Sequence, residues 1–424
     1  MMLPKMRKWF VWGLINLAIV AFYGLLMRYK IAFSLPFLEQ KNLLHAHSHF
    51  AFSGWISQML YSALALQLSR HLPATRVKKY HWLSALNLVC SFGMLVSFTI
   101  QGYKFVSIFF STAAILVSVI YLIAFLKDKA YLPATHTSRR WWQAGLLFNI
   151  LSALGPFSLA YMMATQSIHH SMYLGSVYFY LHFQYNGWFF FGLLAILAAG
   201  LPEDAGSINR YFKILCATVI PTFLLSILWV QLPLWLYILA VAATLVQLAA
   251  WVHLIVKVCQ STGRIKDRNG RHWTRWFFYA AMTALTLKLL LQAISAAPGL
   301  SQLVFGFRPI VIAYLHLVLL GVYSLYLIGF IFKQQIVVAT PFAKVAGIGF
   351  MTAVFLNELL LAVQGMAAFN YLPIPYINEL LFSAALFLFI SATGLALAAL
   401  YPPFRRNDGR SAATAILPEP LPPT

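Results

Sequence analysis

Apolar runs of 18 or more residues recur along the whole of this chain, separated by short polar loops. At 1.5 Å rise per residue, each is long enough to cross about 30 Å of hydrocarbon. In that solvent a backbone N–H or C=O has no water to turn to, so a run of this kind can span only as a helix. The chain reads as all-α, a polytopic membrane helical bundle with about 12 transmembrane helices. Spans are expected near 9–27, 44–68, 81–101, 105–126, 141–165, 173–200, 212–232, 234–256, 276–297, 309–332, 345–366 and 378–400. They make one membrane domain over 1–401. The Pro-rich, polar stretch 402–424 is expected to be a disordered tail.

Charge supports this reading. Only 9% of residues are charged, against about 25% in soluble domains. The net charge of +21 is not a nucleic-acid footprint, because the basic residues sit in short loops beside the apolar runs. Loops on one side carry most of the Lys and Arg excess, so both termini are expected in the cytoplasm of a multi-pass bacterial inner-membrane protein. Three cysteines, none in a CxxCH, supply neither a disulfide framework nor a c-type haem attachment.

Histidine is costly in hydrocarbon, yet the second span opens on "LLHAHSHFAFSGW", with His45, His47 and His49 at its head. With this orientation, His71, His81, His136, His253 and His272 fall in or beside cytoplasmic loops, where histidine needs no special role. His169, His170, His182 and His316 join the first three in the outer half. Lys288 and Glu358 come to a similar depth from helices running the other way, and their mutual pairing is the simplest expectation for them. Ionisable residues inside a membrane usually face a partner, a bundle interior or a cofactor.

Residues two apart on a helix point about 200° away from each other, whereas residues four apart share a face. His45 and His47 therefore cannot chelate one metal together, and His49 returns to the side of His45. A b-type haem needs only axial imidazoles from facing helices and an apolar slot. An internal echo marks where these could be: His49-x4-Gly54, His182-x4-Gly187 and His316-x4-Gly321, one on every fourth span. His169 and His170 are further candidate metal ligands, and Tyr185 and Tyr314 are polar neighbours of His182 and His316.

The chain resembles the NnrS family and, more distantly, subunit I of the haem–copper oxidases and nitric oxide reductases. The likeness is carried by His45-Ala46-His47, by Leu315-His316-x4-Gly321 and by the twelve-span plan. It implies one or two haem b groups, with copper as a further metal, a diatomic ligand such as nitric oxide, and an electron-donor protein. His45, His47 and His316, with His182, would be the cofactor-binding residues. If an enzyme, the protein would be a haem-dependent oxidoreductase acting on nitric oxide or oxygen. The chain departs from these patterns in having Ser48-His49 where NnrS proteins continue with Glu-Met, and no histidine on its seventh span. Tyr185 follows His182 by three residues rather than the oxidase's four. The alternatives are a divergent nitric oxide reductase or terminal oxidase subunit and a cofactor-free proton-coupled transporter using Lys288 and Glu358. A desaturase-like di-iron site would need about eight histidines at the opposite face.

Overall fold

The computed structural model describes residues 3–133, 136–167, 169–201, 208–263, 272–297, 299–300 and 308–401; the expected tail 402–424 lies outside them. Ten helices within this range are long and apolar enough to cross a membrane. They are α1 (Leu3–Phe33), α3 (Ala74–Gln101), α4 (Phe105–Asp128), α5 (138–164), α7 (208–227), α8 (Leu234–Gly263), α9 (Arg275–Ile294), α10 (308–333), α11 (Pro341–Phe369) and α12 (Ile377–Leu400). Two further continuous helical runs, α2 (40–68) and α6 (170–199), stand in the second and sixth expected positions. The protein is thus an all-α polytopic membrane bundle.

The composition of each helix explains its face. Ile100 and Phe105 are exposed, as suits a surface solvated by acyl chains, while Trp55, Trp141, Trp142, Trp188 and Trp251 are fully buried. Successive helices pack as antiparallel neighbours, and α12 returns to lie along α1, which closes the bundle. Pro221 removes a backbone donor within α7, and the helix tightens to a 3₁₀ turn over Phe223–Ile227. Helix α1 continues to Phe33, six residues past its expected end, and so takes Arg28 into the span. Lys30 reaches forward past the helix end to donate to the Leu35 carbonyl.

Three helices share an irregularity. After the echoed histidines, α2, α6 and α10 widen into π-helical segments, Ala51–Ser57, Phe183–Phe189 and Leu317–Ser324. A π turn carries an extra residue and loosens the regular ladder, which frees carbonyls for other donors. Those donors are present. Asn16 of α1 donates to the Gly54 carbonyl, Asn87 of α3 to that of Ser53, and the Tyr323 hydroxyl to that of Tyr185. The segments are also tied in a cycle. Trp55 Nε1 donates to Ser324 Oγ, Tyr323 to Tyr185, and Trp188 Nε1 to Ser57 Oγ. Trp55 and Trp188 both lie six residues after their histidine, and Ser57 and Ser324 eight after theirs. The sequence echo is therefore a structural one, with equivalent positions joined around a common centre.

At the opposite end of the bundle from these histidines, Asp128 is fully buried and accepts from Lys79 Nζ at 2.6 Å, Arg76 at 3.1 Å and the Tyr80 hydroxyl at 3.0 Å. It pins the end of α4 to the start of α3. Arg76 and Lys79 are partly exposed, so water screens part of this attraction. Asp128→Ala is expected to cost about 2–3 kcal/mol, mostly through charge-assisted bonds to a buried carboxylate. A lowered thermal midpoint in detergent would register it, and an unchanged midpoint would show that the two cations find water instead.

A candidate histidine-paired cofactor site

The three histidines of α2 separate as their spacing requires. His45 and His49 turn toward α3 and the α3–α4 turn. The His49 ring stacks on Phe98 at 4.5 Å, its Nε2 is 2.7 Å from the Tyr103 hydroxyl, and the His45 ring lies 4.6 Å from Tyr103. His45 Nε2 is buried without a partner. His47 turns the other way, toward α1. Its Nδ1 lies 3.1 Å from the Val20 carbonyl, and a Cβ placed on Gly24 would meet its Cε1 at 3.4 Å, an ordinary van der Waals contact. The glycine thus brings the α1 backbone alongside the imidazole.

His316, on α10, lies near enough to His47 for the two imidazoles to interact electrostatically. Its Nδ1 lies 2.8 Å from the carbonyl of Ile312, one turn earlier in the same helix. A carbonyl can only accept, so Nδ1 of each ring must donate, and the neutral imidazole then carries its lone pair on Nε2. Metal-ligating histidines are commonly held in this way, their second nitrogen fixed by a backbone carbonyl. Neither Nε2 has a protein hydrogen-bond partner among the described residues. Both rings lie deep between helices and yet keep accessible surface, as does every residue of α10 from Pro309 to Leu317. In contrast, the following stretch Leu325–Phe332 is buried throughout. The histidine-bearing half of α10 thus keeps accessible surface, and the Nε2 lone pairs of His47 and His316 are left without a protein donor among the described residues.

His182 is placed differently. Its Nε2 donates to the Val219 carbonyl at 2.8 Å, and its Nδ1 accepts from Asn186 Nδ2 at 3.0 Å. Both ring nitrogens are engaged, so in this arrangement the ring offers no lone pair to a metal. Beyond it runs a buried polar chain. Asn186 Oδ1 accepts from Lys288 Nζ, Lys288 also donates to Gln292 Oε1 at 2.6 Å, and Gln292 donates to Gln247 at 3.2 Å. The ammonium lies 5.8 Å from the Tyr185 ring centroid, and Tyr185 packs edge-on against Tyr314 at 6.3 Å. The expected Lys288–Glu358 pair does not form, because Glu358 accepts from its neighbour Asn357 and the ammonium is met by amide oxygens instead.

His169 and His170 are exposed at the start of α6. Among the described residues no three His, Cys, Asp or Glu side chains converge on a point that could hold a metal ion. The structure therefore brings together His47 with His316 and His45 with His49, and leaves His182 in a separate network. Asn186, Gln292, Tyr103 and Arg28 were not singled out from sequence. An arginine at the end of an apolar run reads as an interface residue, and polar amides carry no charge to betray their depth.

No family model matches this chain, and no curated protein resembles it at a significant level.

Proposed function

We propose that this is a haem b-binding integral membrane protein of NnrS-like kind, akin to the haem–copper oxidase subunits, with a role in nitric oxide response or respiratory redox chemistry. The observation that carries the reading is the His47–His316 pair. The two imidazoles are near enough to interact electrostatically, and each has Nδ1 held by a carbonyl and Nε2 left without a protein partner among the described residues. His47 and His316 would hold a b-type haem through these two nitrogens. When bound, the group would supply one-electron chemistry, and a diatomic gas would ligate it only where one of the two imidazoles gives way. The chain's own part is to hold two imidazoles in one tautomer, to line the slot with apolar helix faces and to exclude bulk water. Beside His45 and His49 the described residues bring no third His, Cys, Asp or Glu that could complete a copper site. With the basic end of the bundle in the cytoplasm, the histidine pair stands in the outer half of the membrane.

A second reading, a cofactor-free proton-coupled transporter, is favoured by one observation: the buried Lys288 within its chain of amides. An optical spectrum separates the two. Protein purified in detergent from haem-replete cells is expected to show a sharp b-type band on dithionite reduction, with about one haem per chain. A colourless, metal-free protein would remove the haem reading and leave the transporter in its place.

A further inference from the structure

Helix α1 presents a stripe to the histidine pair that the axial ligands alone do not explain. Val20, Gly24 and Arg28 recur at four-residue intervals and so share one face. The Val20 carbonyl orients His47, and Gly24 lies against the same ring. Arg28 stands one turn, about 6 Å, further toward the histidine end of the bundle, within electrostatic range of His316. Its side chain is half-buried inside the spanning segment Met6–Phe33. Among the described residues the ion pairs both belong to Asp128, at the other end. A guanidinium at this depth is costly unless it meets an anion, and its planar fork of donors matches a carboxylate.

We propose that Arg28 is the anchor for the carboxylates of the group held between His47 and His316, the propionates of haem b. The inference rests on the haem reading and adds to it an orientation. Arg28 would hold the carboxylate-bearing edge of the group at the histidine end of the bundle, where α1 supplies the counter-charge. The same contact lets the site discriminate between porphyrins that carry free acids and those that do not.

The test uses full-length protein expressed under haem limitation, titrated in detergent with haemin or with haemin dimethyl ester, whose propionates are uncharged. Wild type is expected to prefer haemin by about ten- to hundredfold, as charge-assisted hydrogen bonds would give. Arg28→Gln should bring the two affinities together, and Arg28→Lys, which keeps charge but not the fork, should fall between. If wild type shows no preference, or Arg28→Gln keeps it, the assignment of Arg28 is overturned while haem binding stands. If neither porphyrin binds to wild type, the haem reading itself fails and this inference with it. The wild-type preference is a readout in its own right, independent of whether a variant folds.

Discussion

His47→Ala and His316→Ala are each expected to lower bound haem by about tenfold or more, while His182→Ala leaves the reduced b-type band in place. The expectation follows from the nitrogen each ring has to offer. In His47 and His316 the backbone takes Nδ1 and leaves Nε2 as a lone pair; in His182 the protein takes both. Merely repositioning metal ligands through their hydrogen-bond partners commonly costs 10–100-fold in affinity, roughly, and removing a ligand costs at least as much. His182→Ala instead strips partners from Asn186 and from the Val219 carbonyl, a loss of about 1–3 kcal/mol in stability, so it lowers the thermal midpoint with the spectrum intact. Exogenous imidazole should restore the band in His47→Ala and His316→Ala, which distinguishes a missing ligand from a misfolded chain. With both axial positions filled by imidazole, carbon monoxide should leave the reduced wild-type spectrum unshifted and shift that of any haem retained in His316→Ala. A band that survives both alanine variants but disappears in His182→Ala would move the cofactor to the other network.

Much of the bundle is legible because the bilayer enforces it. Run length marks where helices stand, and the two-residue spacing of His45 and His47 requires that they face apart. The His47–His316 pair was harder to single out. The echo aligns His49 with His316, yet it is His47 that interacts electrostatically with His316, while the His49 ring stacks on Phe98 of α3. The π-helical segments could not be read from a 3.6-residue period, since their widening depends on donors from elsewhere in the chain, such as Asn16 and Asn87. Charge was misleading for Lys288. Opposite signs at similar depth suggested Glu358 as its partner, but depth along a helix axis says nothing about azimuth, and neutral amides on α6 and on its own helix reach the ammonium first.

That substitution of amides for a carboxylate gives the second large effect. Asn186→Leu removes an acceptor from a buried Lys288 and a donor from His182 at once. Breaking the partner of a buried charge costs about 3–5 kcal/mol, so the thermal midpoint in detergent should fall steeply. Lys288→Met has a smaller expected cost. It leaves Asn186 Oδ1 and Gln292 Oε1 without their donor, but it also removes the charge whose desolvation the amides offset. The double substitution should accordingly be more stable than Asn186→Leu alone, by about 2 kcal/mol, a coupling of the size expected between residues of one buried network. If the double substitution is no better than the single one, Lys288 is not held by Asn186 in the way its geometry indicates. The same proteins separate the two functional readings. A haem site on His47 and His316 lies outside this chain of amides, so Lys288→Met should keep the b-type band. A transporter would lose proton-coupled transport with its buried cation while having no band to keep.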